Sequence, residues 1–279
     1  MVIGCTALWC TIGVISYFFL NLISQTYRDY KHSHEKWLFT TYFTAMVHAA
    51  ISFYLAVYSI LYMCDGWEEG NNPLNSIDCV LYPKTNHYYI LGFSTGYLIY
   101  DFLAYWFLCP GDSALAYQTY AHHILGASGF LCSFYAPRTS LVFGCTSMVM
   151  ELSSIFLNFR WFTFSCNFKN DNVGLINTIF IFITYLLTRI IGQWYVALTI
   201  CYPHFYTNWI AITNDEIVNG LQKDPILYNI AGWFMLVVNL LSQCINTYWF
   251  TLIYAQVKRN ILKFMNKGKL PDDDKHQDP

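Results

Sequence analysis

A chain of 279 residues with only 11% charged, 56% hydrophobic and 19% aromatic side chains is too poor in charge for a soluble protein, which would carry about 25%. Its apolar residues cluster in runs of about 20, the helix length that crosses about 30 Å of hydrocarbon. A β-barrel would show short alternating segments instead. The sequence therefore predicts an all-α, polytopic membrane bundle. The formal net charge is −2 and no basic patch is present, so nucleic acid is not an expected partner.

Seven transmembrane helices are predicted, and we expect the first to be retained rather than cleaved as a signal. They cover roughly residues 2–24, 38–62, 88–108, 119–136, 140–162, 173–201 and 226–256. The fourth run ends at Pro137, which predicts a tight antiparallel pair with the fifth. We divide the chain into a first helix with a basic loop (1–35), a helical bundle (36–263) and a polar tail (264–279).

The distribution of lysine and arginine predicts the orientation, because cytosolic loops are enriched in these residues. With seven helices, most of the basic loop residues fall on the side of the C-terminus. They are Arg28, Lys31, Lys36, Lys169, Lys258, Arg259, Lys263, Lys267 and Lys269. The opposite side receives only Lys84, Arg138 and Lys223. We therefore expect the C-terminus to be cytosolic and the N-terminus to lie on the far side.

The loop 63–87 would then lie on the far side of the membrane. It contains Cys64 and Cys79. In an oxidising compartment these two could form a disulfide closing a loop of about 15 residues, and two free thiols are the equal alternative.

Ionisable residues within the apolar runs are costly and usually face a protein interior. Counted at about 1.5 Å per residue, Glu151 and Arg189 lie about 17 and 18 Å from the far side. Their matching depth predicts an ion pair, which either locks two helices or takes part in function. The same count places His48 and Asp101 each about 20 Å from the far side. It predicts a contact between them, unless each finds a separate backbone or tyrosine partner.

Two adjacent histidines, His122 and His123, begin the fourth predicted helix. Neighbouring residues on a helix point about 100° apart, so both cannot face one pocket equally. One could serve as an acid, a base or a nucleophile while the other bonds a neighbour. Interfacial histidines without a catalytic task would give the same pattern.

The fifth predicted helix carries a polar stripe. Glu151, Ser154 and Asn158 stand at positions i, i+3 and i+7, and Arg160 lies near the cytosolic end. Such a stripe is expected to face a polar cavity, or else to bond neighbouring helices.

Taken together, these residues resemble the TLC domain, the superfamily of ceramide synthases and translocation-associated membrane proteins. The resemblance rests on His122-His123-Ile124-Leu125-Gly126, on Glu151-x-Ser153-x-x-Phe156-x-Asn158-x-Arg160-Trp161 and on Arg189 in the next helix. It covers roughly Lys36 to Lys263. Ceramide synthases follow the histidine pair with a His-Asp-x-Ser-Asp segment, where this chain has Met150-Glu151-Leu152-Ser153-Ser154. The histidine and the second aspartate are absent, so the chain is more similar to the non-synthase branch, which is linked to membrane lipid composition and handling.

Three functions are consistent with this resemblance. The first is a lipid-binding protein whose pocket is lined or supported by His122, His123, Glu151, Asn158 and Arg189. The second is a sphingolipid-type acyltransferase with His122 or His123 as the reacting group. The third is a structural or accessory subunit of a larger membrane protein complex. No cofactor or metal is expected, and membrane lipids are the expected partners. The resemblance implies the endoplasmic reticulum, with the mitochondrial inner membrane and the plasma membrane as alternatives.

Overall fold

The computed structural model describes residues 1–138, 140–168, 171–201 and 225–266, and within these ranges all regular structure is helical. This confirms the predicted all-α membrane bundle. The polar tail was predicted from residue 264, whereas the last helix continues to Asn266. The rest of the tail, from residue 267, and the basic residues Lys169, Lys223, Lys267 and Lys269 lie outside the described residues. The division of the chain at residues 35 and 263 stays a prediction.

The α-helices follow one another with short connections. They are α1 (Val2–Ile23), α2 (Gln25–Asp29), α3 (Ser33–Tyr62), α4 (Ile77–Leu81), α5 (Thr85–Phe107), α6 (Ala114–Tyr135), α7 (Ser140–Ser147), α8 (Glu151–Ser165), α9 (Asp171–Thr184), α10 (Gln193–Val196) and α11 (Pro225–Asn266). A 3₁₀ turn over Met148–Met150 joins α7 to α8, and π-helical segments cover Tyr185–Gly192 and Ala197–Cys201 on either side of α10. As predicted, α6 ends just before Pro137, and α7 begins three residues after that proline.

Five helical stretches of the described chain are long and apolar enough to cross a membrane. They are Val2–Ile23, Ser33–Tyr62, Ser140–Ser165, Asn172–Ile200 and Ile226–Leu262. Helices α5 and α6 occupy the positions of the third and fourth predicted spans. They are long enough but less apolar, because tyrosine, histidine and small polar residues interrupt their sequences. The count of seven crossings therefore stays a prediction.

Helix α1 packs closely along α5. A Cβ atom at Gly96 would lie 2.7 Å from the backbone nitrogen of Thr6, so only glycine allows the two backbones to approach this closely. The indole of Trp9 donates a hydrogen bond to the carbonyl oxygen of Phe93 at 3.1 Å. The first helix is thus fixed to the bundle both by packing and by a specific hydrogen bond.

The loop between α3 and α5 is closed by a disulfide. Cys64 and Cys79, which are 15 residues apart, are bonded with their Cα atoms 5.1 Å apart. The disulfide is confirmed over the alternative of two free thiols. On the surface of the same loop, Lys84 Nζ donates to Asp65 Oδ1 at 2.6 Å, and such an exposed pair contributes little to stability.

Replacing both disulfide cysteines, Cys64→Ser with Cys79→Ser, should lower the free energy of unfolding by about 3 kcal/mol, because the unfolded chain regains the entropy of the open loop. Chemical unfolding of the purified protein in detergent micelles measures this difference. Cys166→Ser, which changes an exposed free cysteine, is the matched control and should have no effect. Equal stability of the double variant and the wild type would contradict the expectation.

Candidate functional site

A cavity lies between α3, α5, α6, α7, α8, α10 and α11. It contains about 760 Å³ of empty space, including space that is open to the surroundings. The polar lining residues are His48, Ser94, His122, Ser147, Glu151, Gln193, Asn239, Ser242, Gln243 and Asn246. The remaining lining residues are Leu98, Gly126, Gly129, Phe130, Phe143, Met148, Met150, Met235 and Val238. The cavity therefore combines apolar walls with polar groups deep inside a membrane bundle.

Two glycines of α6 form part of the cavity wall. A Cβ atom at Gly129 would lie 3.0 Å from Val238 Cγ1 on α11, and one at Gly126 would lie 3.1 Å from Leu98 Cδ1 on α5. Small residues let membrane helices pack closely. Here they bring α6 against both neighbours along one face of the cavity.

Sequence reasoning missed the polar face of α11. Asn239, Ser242, Gln243 and Asn246 stand at i, i+3, i+4 and i+7, and all four line the cavity. This spacing places them on one face of a helix. The signal was present in the sequence, in the same form as the stripe predicted on α8.

Arg189 is buried at the centre of the bundle, with 4% of its surface exposed. Its Nε donates to Ser153 Oγ at 2.8 Å and its Nη2 donates to Ser154 Oγ at 2.7 Å, both on α8. Nη1 donates to Asn246 Oδ1 on α11 at 3.4 Å. The guanidinium also lies 5.3 Å from the ring centroid of Tyr185. Hydroxyl, amide and aromatic groups thus surround this cation.

The predicted Glu151–Arg189 ion pair is wrong. Arg189 reaches α8 two and three residues beyond Glu151, so the predicted depth was nearly right. The rotation was only partly right: Arg189 bonds Ser154, which points about 60° from Glu151 around the helix, but also Ser153, which points about 160° away from it. Glu151 lines the cavity instead. Arg189 lies within the π-helical segment Tyr185–Gly192, a conformation that is frequent at functional sites.

Asp101 pairs with a histidine, but not with the predicted one. His123 Nε2 lies 3.1 Å from Asp101 Oδ2, and the two residues are 8% and 2% exposed. The other oxygen of Asp101 and Nδ1 of His123 are buried without a hydrogen-bond partner in the described part of the chain. A buried His–Asp pair therefore joins α5 to α6.

The predicted His48–Asp101 contact is wrong, because His48 binds serines. Its Nε2 lies 2.9 Å from Ser52 Oγ and 3.3 Å from Ser94 Oγ, and its ring stacks on Tyr97 with centroids 3.7 Å apart. Ser94 precedes Asp101 by two helical turns, so the depth count misjudged the offset between α3 and α5 by about 10 Å. The count assumed helices perpendicular to the membrane, whereas membrane helices commonly tilt.

The adjacent histidines of α6 point in different directions. His122 lines the cavity, with its ring centroid 5.4 Å from that of Trp249. His123 is turned toward Asp101. A catalytic role for either histidine stays a prediction.

The last two predicted site residues lie away from the cavity. Asn158 is buried, but it is not among the described residues that line the cavity. Arg160 is half-buried, with its guanidinium 5.3 Å from the ring centroid of Phe164. The described residues contain no group of three or more His, Cys, Asp or Glu side chains that could hold a metal ion.

Comparison with known proteins identifies the family. The family model of the TLC domain matches residues 38–255, and the chain therefore belongs to this family, which confirms the resemblance. An uncharacterized TLC domain-containing protein of Schizosaccharomyces pombe is 25% identical over 137 residues. The aligned part covers 49% of this chain and 41% of that protein. No solved structure matches the chain.

We expect the buried His123–Asp101 pair to contribute to the free energy of unfolding. Replacing one partner by leucine should lower the free energy of unfolding by about 3 kcal/mol, because the other is left as an isolated polar group in a buried site. The double variant Asp101→Leu with His123→Leu should lose clearly less than the sum of the two single variants. Unfolding in detergent micelles measures all three. Leu103→Ala, at an exposed position of the same helix, is the control, and additive losses would show that the pair is not coupled.

Proposed function

We propose that this TLC-domain protein binds and handles a membrane lipid in its central cavity, and that it does not synthesise ceramide. The observation that carries the proposal is the cavity between the helices of the bundle, which combines apolar walls with polar side chains. Its apolar side chains suit an acyl chain, and its polar side chains suit a head group. Polar groups inside a membrane protein are costly and commonly mark a substrate path or site.

The site residues favour binding over ceramide synthesis. On the stretch aligned with the second synthase segment, Glu151 faces the cavity, while Ser153 and Ser154 bind Arg189. The positions of the missing histidine and second aspartate are occupied by Met150 and Ser154. The polar groups of this stretch are therefore mostly engaged in holding helices together.

A cavity-filling substitution tests the proposal. Lipid that stays with the purified protein is extracted and identified by mass spectrometry. Ser242→Phe places a ring in the cavity, and we expect the amount of bound lipid to fall at least about tenfold, since each 1.4 kcal/mol of lost affinity is tenfold. Leu241→Phe, at the neighbouring exposed position, is the matched control and should keep the wild-type amount.

The amount and identity of the extracted lipid decide between two outcomes. A single defined lipid that is lost only in Ser242→Phe supports the proposal. A wild-type protein that carries no specific lipid, or a Ser242→Phe variant that retains it, contradicts the proposal.

A second candidate, acyl transfer, is favoured by one observation. His122 lines the cavity, and the ring of its neighbour His123 is held by Asp101 at 3.1 Å, an arrangement in which a carboxylate orients a histidine. On this alternative, incubation with an acyl-CoA and a sphingoid base gives an N-acylated product. His122→Ala should then abolish turnover, and Ile124→Ala, at an exposed position of the same helix, should retain it. Absence of product with the wild-type protein would reject this candidate.

We also propose the membrane of the endoplasmic reticulum as the location of the protein. The family supports this assignment, and the Cys64–Cys79 disulfide is consistent with a loop that faces an oxidising lumen. Co-localisation of a tagged chain with a resident marker of that membrane checks it.

A further inference from the structure

We propose that the cavity selects a lipid whose polar part carries hydrogen-bond donors, namely a hydroxyl or a protonated amino group. This inference rests on the proposed function, because it names the chemistry of the lipid that the cavity would hold. Three cavity residues carry it: Ser147, Glu151 and Gln243.

Within the part of the chain that the structure describes, two buried oxygen atoms of cavity residues lack a hydrogen-bond partner. They are Oε1 of Gln243 and Oγ of Ser147, in residues that are 2% and 5% exposed. Both residues line the cavity, one from α11 and the other from α7. A buried polar atom without a partner costs about 1–3 kcal/mol, and native proteins leave few of them unpaired. The cavity is therefore the place from which the missing partners would come.

The carboxylate of Glu151 adds a third vacant acceptor. Glu151 lines the cavity and makes no ion pair or hydrogen bond within the described residues. Its expected partner, Arg189, uses its donors on Ser153, Ser154 and Asn246. An ionised carboxylate only accepts hydrogen bonds. It also disfavours a ligand that brings a second negative charge next to it.

The vacant positions together describe the ligand. Gln243 Oε1 and Glu151 accept hydrogen bonds, and the Ser147 hydroxyl can accept or donate one. A hydroxyl or an ammonium group satisfies these atoms. A lipid whose polar atoms are only ester oxygens has no donor to offer, and a lipid with an anionic head group faces Glu151. A site built to bind a hydroxyl or N–H group rejects an analogue that lacks it.

Three probes of equal chain length test the inference on the full-length protein in a neutral detergent: stearyl alcohol, stearylamine and methyl stearate. Native mass spectrometry measures the bound fraction of each probe as its concentration is raised. We expect the alcohol, the amine or both to bind at least about tenfold more tightly than the ester, which lacks a donor. If only one of the two binds, that result supports the inference and identifies which donor the site takes.

Two variants assign the effect to the named atoms. Gln243→Met keeps the length of the side chain but removes the acceptor, and should reduce the preference for alcohol over ester about tenfold. Its thermal stability without a probe should not fall, because an unpaired buried polar group is replaced by an apolar one. Glu151→Gln removes the charge and should weaken stearylamine binding about tenfold while the binding of stearyl alcohol is retained. Leu241→Met, at an exposed position of α11, is the control and should match the wild type in every measurement.

The outcomes separate this inference from the proposed function. Equally tight binding of methyl stearate and stearyl alcohol overturns the requirement for a donor but leaves lipid binding standing. An unchanged preference for alcohol over ester in Gln243→Met, together with unchanged stearylamine binding in Glu151→Gln, overturns the assignment to these residues. If none of the three probes binds and no lipid is extracted with the protein, both proposals fail.

Discussion

A bundle surrounded by hydrocarbon must satisfy its polar groups internally, and Arg189 shows how this one does so. In this setting water does not solvate a guanidinium, so every donor must find a partner within the protein. The serines of α8, the amide of Asn246 on α11 and the ring of Tyr185 supply those partners. One side chain thereby joins three helical segments, and their relative rotation follows from its hydrogen bonds.

This way of holding the cation determines what the cavity contains. Since hydroxyl and amide groups bind Arg189, the carboxylate of Glu151 remains free to line the cavity. An ion pair between the two would have engaged the Glu151 carboxylate with Arg189, and the cavity would then lack a free negative group. Asn246 connects the two regions, because it accepts from Arg189 and also lines the cavity. The hydrogen bonds of Arg189 that fix the helices therefore also determine which polar groups line the cavity.

Features specified by local sequence patterns were predicted correctly. Predictions failed where they depended on the rotation of a helix about its own axis. Long apolar runs gave the helices, and the spacing of Cys64 and Cys79 allowed the disulfide. Depth counting placed Arg189 beside the correct turn of α8, but it cannot tell which face points inward. A π-helix has more residues per turn than an α-helix, so the direction of Arg189 within Tyr185–Gly192 does not follow from a count at 3.6 residues per turn. The polar face of α11 could have been predicted, because its i, i+3, i+4 and i+7 spacing is visible in the sequence.

The two histidines favour a binding role over acid–base catalysis. A general base must come within hydrogen-bond reach of the ligand, and it works best when a third group orients it. His123 has such a group, but its Nε2 is occupied by Asp101 and its Nδ1 is buried, whereas the neighbouring His122 is the one that lines the cavity. His122 has ring contacts with Trp249 and His123 and no orienting hydrogen bond within the described residues. The orienting carboxylate and the imidazole that lines the cavity therefore belong to different residues. That separation suits a pair in which one histidine fixes α6 against α5 and the other contributes a polar surface to the cavity.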